Sequence, residues 1–572
     1  MLQNIRQSAV LIWTLFGVLC FQIVLAFQGF DLADEGFALV FFQQIFNCPQ
    51  SVERNFLFWF SGIVGGVWLK IFPDAGIFSF RIFGILMHIL GLVLLILIFR
   101  KRLPDWILAL SCVVITLIPS FGIILFYHNS LVVVLSLAAF YFLIKGIEKN
   151  LWWALVLSGL FLVLTGFSRL PSFTLGIWIL LILMFSNDWK KRLQHVGFAC
   201  AGAIGGFLLV FLKMVFLGHL DVFSDSVRVM FATANSPENT HSFGQLTWAI
   251  AYNYRLIARI CFMLIALFGA LILVSRFSKN RQWINHLFCV IFFGVFLFAM
   301  RGFAAIYWLY ALCFLTLGFL FWKTKDNALR RLIFGAVLMM VFLPLGSDFY
   351  VGNMGSFSIW LAIPLMLGFG FSTLKNSETL EQPKRWFFVA FLAAFCVLQL
   401  FRISNQAYFD PGSRLEKRYN IDHSITRHIF TTKHRAEIMN QFIPALNRYI
   451  SPNDYVLAFE HIPMVHALTR SRPFAYTSWL LTYCGTLFEQ QLLRAEKSRP
   501  LPIVVKQHFE SFPGWSAPQK DYFCENRPNS FTHDSKRTAV FNDFLKRHNY
   551  QEVWTNGYFS IWKSHNHTAP QT

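Results

Sequence analysis

The chain has 572 residues, 56% hydrophobic and only 14% charged, with a mean hydropathy of +0.53. Soluble domains carry about 25% charged residues, so the composition excludes a water-soluble globular protein, a disordered chain, collagen and a coiled coil. The net charge of +20, from 49 basic and 29 acidic residues, suggests a nucleic-acid binder only until the charges are placed along the chain.

Apolar runs long enough to cross a hydrocarbon core of roughly 30 Å recur throughout the first 403 residues. They lie at 8–29, 79–99, 105–125, 131–145, 151–167, 170–186, 195–216, 256–275, 284–300, 303–322, 332–346, 357–371 and 386–403, and predict about 13 transmembrane helices. No polar cleavage region follows the first run, which predicts a retained span rather than a removed signal peptide.

Basic residues cluster in alternate loops: Arg6; Arg100, Lys101 and Arg102; Lys145 and Lys149; Lys190, Lys191 and Arg192. The series continues with Arg276, Lys279 and Arg281; Lys323, Lys325, Arg330 and Arg331; then Lys375, Lys384 and Arg385. These segments hold 19 of the 29 Lys and Arg before residue 404. The positive-inside rule makes them cytoplasmic, with the amino terminus inside and the last 169 residues outside. Residues 56–72 are also apolar, but crossing there would invert every later loop. They are expected to form an interfacial helix within the first outer loop, about 31–77.

Composition changes after Arg402, dividing the chain into a membrane domain, 1–403, and an extracytoplasmic domain, 404–572. In the second part, strands are expected at 454–460, 502–505 and twice within 551–563, alternating with helices at 463–470, 487–499 and 539–548. That alternation predicts a small α/β domain. Its two cysteines, Cys484 and Cys524, sit in a compartment that would permit a disulfide.

Acidic residues are scarce in the membrane part: 15 precede residue 404, and six of these fall in the cytoplasmic loops. Three others sit together after the first span as Asp31, Asp34 and Glu35, in FDLADEGFALVFFQQ. Carboxylates in a first helical turn satisfy free N–H groups and the helix dipole. A carboxylate held at the membrane boundary can also act as general base toward a hydroxyl or amine.

An N-inside first span, an outer loop opening on Asp-Glu and an aromatic-rich helix, and a second apolar interfacial helix together resemble the polyprenol-phosphate-sugar-dependent glycosyltransferases of the GT-C fold. Among these the chain looks nearest the protein O-mannosyltransferases and the bacterial aminoarabinose transferase of lipid A. Arg81 and the span running into Arg100–Lys101–Arg102 are similar to that family's second span. GLFLVLTGFSRLPSF at 159–173 resembles its hairpin between two later spans, and the outer α/β domain resembles that of its bacterial branch.

The resemblance implies a sugar donor on a polyprenyl phosphate and an acceptor that is a glycan, a lipid or a protein. It implies Asp34 as the base in an inverting transfer, with Glu35 holding the acceptor or tuning the Asp. Many relatives carry an Asp before the fourth span; here that place reads FYHNS at 126–130, with His128 and Asn129 in its stead.

A lipid phosphate needs cations. Ten basic residues of the membrane part fall outside the cytoplasmic loops, including Arg54, Lys70, Arg81, Arg169, Arg228, Arg255, Arg259 and Arg301. Arg301 is favoured for the phosphate, near the aromatic Tyr307, followed by Arg255 with Arg259 one helical turn on, and Lys70. Asp348 and Asn353 could touch a sugar, although turn chemistry explains them equally well. No metal-binding motif is present, so a divalent metal is unsupported, and no P-loop or dinucleotide fingerprint argues for a nucleotide-sugar donor.

The expected protein is therefore a multi-pass enzyme of the plasma (inner) membrane, surrounded by lipid and binding no nucleic acid. A transporter or flippase for a lipid-linked glycan, or a non-catalytic glycan-binding scaffold, are the alternatives. Placed on this topology, most of the +20 charge is cytoplasmic loop.

Overall fold

The computed structural model describes residues 2–118, 124–184, 188–236, 238–239, 241–277, 282–301, 304–371, 378–510, 517–519, 522–530 and 532–565. Of the basic residues assigned to cytoplasmic loops, Lys279, Arg281 and Lys375 lie outside these, and the side chains of Arg6 and Arg276 are not among those described.

The amino-terminal half runs α1 (Leu2–Ala26), α2 (Asp34–Gln44), a 3-10 segment (Pro49–Phe58), α3 (Trp59–Ile71), α4 (Ile77–Phe99), α5 (Asp105–Leu117), α6 (His128–Lys149) and α7 (Trp152–Ser168). A second 3-10 segment (Leu170–Trp178) leads into α8 (Ile179–Met184), α9 (Trp189–Phe216), α10 (Leu220–Asn235) and α11 (Phe243–Phe277). Then follow α12 (Gln282–Ala299), α13 (Ala304–Lys323), α14 (Asn327–Phe342), α15 (Val351–Ser358), α16 (Ala362–Phe371) and α17 (Glu378–Asn405).

Seven of the described helices are long and apolar enough to cross a membrane unaided: α1, α4, α6, α9, α11, α13 and α17. The pair α15 and α16, bent by 69°, would make an eighth, and α5, α7, α12 and the 170–184 segment are shorter apolar helices. Among the described residues the thirteen apolar runs thus correspond to helices of unequal length. α6 forms the centre of the bundle, 72% of its span being buried, whereas α9 and α11 expose most of theirs at its periphery. Small residues set the tightest crossing: a Cβ on Gly202 of α9 would lie 1.9 Å from Val156 O of α7. Residues 56–72 contain α3, whose 13 residues reach about 20 Å and pack on α2 and α7.

Three of the basic loops gather at one end of this bundle, where Arg102 pairs with Glu148 and Arg331 faces both of them and Asp326. The C-terminal α/β domain sits at the other end. It opens on two short hairpins, β1 (Gln406–Ala407) with β2 (Asp410–Pro411) and β3 (Tyr419–Asn420) with β4 (Phe430–Thr431). Then come α18 (Lys433–Tyr449), β5 (Tyr455–Phe459), α19 (Met464–Thr469), β6 (Arg472–Pro473), α20 (Gly485–Glu496), β7 (Ile503–Gln507), α21 (Ser535–Arg547), β8 (Tyr550–Thr555) and β9 (Phe559–Ser564).

The five-stranded sheet has the order β6-β5-β7-β9-β8, parallel through β7 and antiparallel beyond it. Helices cover both faces: Phe442 of α18 stacks on Phe559 at 4.0 Å, and Phe541 of α21 stacks on Phe459 at 3.9 Å from the opposite side. Cys484 and Cys524 are free thiols.

The domain docks directly on the first interhelical loop. Met464 N donates to Leu32 O at 2.9 Å, and a Cβ on Gly36 would fall 2.2 Å from Met464 N. In an exposed helix, Gly→Ala stabilises by about 1 kcal/mol. Here Gly36→Ala is expected to destabilise by about 1–3 kcal/mol, because backbone must move to admit the methyl. Thermal unfolding of the purified chain would read the sign. At the rim, Arg494 of α20 pairs with Glu53 at 2.9 Å and with Asp225 at 3.3 Å.

Candidate active site

The three acidic residues after α1 have separate fates. Asp31 caps α2, its carboxylate accepting from Ala33 N at 2.8 Å and Glu35 N at 2.9 Å. Capping is therefore done from outside the Asp34-Glu35 pair. Glu35 points into the protein and takes a two-pronged bond from Arg81, Nε to Oε1 at 2.8 Å and Nη2 to Oε2 at 2.9 Å. The same guanidinium donates to the carbonyls of Ala26, Gln28 and Gly29. Glu35 thus neutralises a buried arginine that ties α4 to the end of α1.

Asp34, about 100° further round α2, faces a cavity of about 980 Å³. Tyr408, on the hairpin between β1 and β2, donates its hydroxyl to Asp34 Oδ2. Burial pushes the Asp34 carboxyl up to about 6, Asp348 and Glu35 add to the rise, and the tyrosine hydrogen bond opposes it.

The cavity has a polar head and apolar walls. Asp348, Asn353, His128, Asn129, Tyr307, Arg54, Arg169 and His241 line the head together with Asp34 and Tyr408. Phe21 and Leu25 of α1, Met87 of α4, Val133 of α6, Trp360 between α15 and α16, and Phe395 of α17 belong to its apolar wall. Asp348 is held by Asn353, whose Nδ2 donates to Oδ1 at 2.7 Å. His128 stacks on Phe58 at 3.9 Å, and the buried Oδ1 of Asn129 has no partner among the described residues.

Arg169 is fixed by two carbonyls beyond α14, donating to Leu343 O at 3.0 Å and Leu345 O at 2.7 Å. Arg54 is 8% exposed, and its Nη1 has no hydrogen-bond partner among the described residues. His241 is held below its ordinary value first by burial; Asp348 opposes this and Arg54 and Arg169 lower it further, so these four groups share one neighbourhood.

The four cations favoured from sequence are elsewhere. Arg301, Arg255, Arg259 and Lys70 are exposed and none of them lines the cavity. Arg301 lies over the Phe298 ring at 4.8 Å and Lys70 over Phe46 at 3.9 Å, contacts that hold each stem against apolar surface. Among the described residues no three His, Cys, Asp or Glu side chains come together as a metal site.

Residues 58–215 match the family described as dolichyl-phosphate-mannose-protein mannosyltransferase. That match covers just over a quarter of the chain, all of it within the membrane part. The matched segment includes Arg81, His128, Asn129 and Arg169, and it begins after Asp34 and Arg54. A crystal structure of the Archaeoglobus fulgidus oligosaccharyltransferase, tethered with an acceptor peptide containing the NVT sequon, is similar at 11% identity and a TM-score of 0.41. That likeness covers 86% of this chain and 69% of the archaeal one. No curated protein sequence matches.

Sequence reasoning named Arg54 and Arg169 among the outer cations without favouring them, although Arg169 stands inside the GT-C-like hairpin motif at 159–173. Tyr408 carried no signal at all, being 374 residues from the carboxylate it touches.

Proposed function

We propose that the protein is a GT-C glycosyltransferase that transfers a sugar from a polyprenyl-phosphate-linked donor to an acceptor on the extracytoplasmic face, with inversion and with Asp34 as general base. The observation that carries the reading is Asp34 at the polar head of a cavity whose apolar walls continue between α1, α4, α6 and α17. Such a space suits a ligand with a charged head and a hydrocarbon tail. Gathering of three basic loops at the end opposite the α/β domain supports a cytoplasmic amino terminus and an extracytoplasmic domain.

In this reading the acceptor oxygen attacks the anomeric carbon while its proton passes to Asp34. The bond from that carbon to the phosphate oxygen breaks, and polyprenyl phosphate leaves with the electron pair. A phosphate leaves without a paired acid, so one carboxylate suffices, unlike glycosidases with their acid and base.

Arg54 and Arg169 hold the donor phosphate, in place of the exposed Arg301, Arg255, Arg259 and Lys70. The unpartnered Arg54 Nη1 supports this assignment, since a buried guanidinium without an acceptor is costly until an anion arrives. His128, Asn129, Tyr307, Asp348 and Asn353 surround the sugar and the acceptor. Arg54→Ala is expected to raise the donor KM about tenfold or more, and Arg301→Ala to leave it near wild type; steady-state kinetics in nanodiscs would compare them.

The sugar and the acceptor would be named by mass spectrometry of envelope glycans and glycolipids from cells with and without the gene. A sugar missing from one glycan supports transfer; an unchanged glycan profile overturns it.

A further inference from the structure

We infer that the C-terminal domain completes the catalytic centre, with Tyr408 as the positioning residue that holds the Asp34 carboxylate in its working orientation. This rests on the reading of Asp34 as the base. The Tyr408 hydroxyl donates to Oδ2, while Oδ1 takes no hydrogen bond among the described residues and is the oxygen left to take the acceptor's proton.

The hairpin carrying Tyr408 is bolted to the chain that carries Asp34. Asp410, two residues on and fully buried, accepts from Phe30 N at 2.9 Å and from Thr431 Oγ1 at 2.8 Å through Oδ2. Its Oδ1 accepts from Arg435 Nη1 at 2.7 Å and faces Lys417 Nζ at 3.4 Å. Gly29 N donates to Phe430 O at 2.8 Å, and Phe430 N donates to Phe27 O at 2.7 Å. Gly29 has φ +95, and a Cβ there would lie 2.4 Å from the Ala407 side chain. Four residues beyond Phe30, the chain enters α2 at Asp34. Tyrosine and carboxylate are thus held by one clamp spanning the two domains, so their hydrogen bond costs little ordering at the moment of reaction.

The groups facing Asp34 are Glu35, already neutralised by Arg81, together with Asp31, Asp348, Tyr127 and Tyr408. Apart from Tyr408, the charges that bear directly on Asp34 raise it; the tyrosine bond is the counterweight that keeps a base available near neutral pH.

The test is an infrared pH titration of the full chain in nanodiscs, following the protonated-carboxyl band that Asp34→Asn removes. The wild-type midpoint is expected near pH 6. Tyr408→Phe should move it up by about one unit or more, and 3-fluorotyrosine at 408, a stronger donor, should move it down. An unmoved midpoint in both variants overturns the inference. Glycan mass spectrometry of Asp34→Asn cells separates the two claims. Retained product there means that the base reading fails. Lost product with an unmoved Tyr408→Phe band means that only the positioning role fails.

Discussion

Asp34→Asn is expected to lower sugar transfer by about 10²–10⁴-fold, the range that a positioned general base contributes, while leaving the chain folded. Asn keeps the shape of the side chain and can still accept from Tyr408, but it cannot take a proton. The pH profile carries an independent sign. A base must be deprotonated to act, and burial with Asp348 and Glu35 nearby has raised Asp34 to about 6. Rate should therefore fall about tenfold per unit as pH drops below 6 and level off above it. Asp34→Asn should lose that acidic limb along with the rate. Glu35→Gln is the contrasting substitution. It strips the counter-charge from the buried Arg81 guanidinium, so its first effect is on thermal stability. Activity measured on the folded fraction would then tell the adjacent carboxylates apart. An Asp34→Asn enzyme with an unchanged rate would remove the base from the mechanism.

How far the sequence could be read depended on whether a feature was local. Hydropathy and the alternating basic loops are properties of short windows, and Arg102, Glu148 and Arg331 do gather at one end. In the α/β domain, DYVLAFE and PIVV became β5 and β7 because parallel central strands are apolar on both faces. The small hairpins β1–β2 and β3–β4 escaped notice, since two-residue strands of polar sequence have no period to read. Span length was less legible than span position. A run of apolar residues such as 105–125 predicts burial, and the described helix there is Asp105–Leu117.

The site followed the same division. Asp34 could be singled out because a carboxylate is rare near a membrane boundary. Which member of the acidic cluster caps the helix, which pairs and which faces the cavity depended on Arg81 and on helical phase. The cations were the hardest. An arginine at a span end lies on lipid or on a pocket according to its direction round the helix, and Arg301 and Arg169 look alike in sequence. Tyr408 lay beyond reach, because only the docking of a second domain brings it to Asp34.

Docking itself is testable at Asp410. Asp410→Ala is expected to destabilise the protein by about 3–5 kcal/mol, as breaking a buried ion pair by removing one partner does. The carboxylate is fully buried and serves four groups at once: Arg435, Lys417, Phe30 N and Thr431 Oγ1. Its removal leaves two cations without that counter-charge and a backbone donor without its acceptor, in a place that water does not freely reach. Asp410→Asn keeps the volume and an acceptor oxygen for Phe30 N, so it should cost less, and the difference isolates the charge. Salt distinguishes this cluster from the rim. Asp225 and Arg494 are 35% and 42% exposed where they pair, so loss of Asp225 should matter little at high ionic strength. The Asp410→Ala deficit should persist there, read as the Tm difference in low and high salt. Because the same carboxylate anchors the hairpin bearing Tyr408, transfer by the folded fraction should fall as well. A variant that loses stability while keeping full activity would mean that the clamp holds the two domains together without setting the geometry at Asp34.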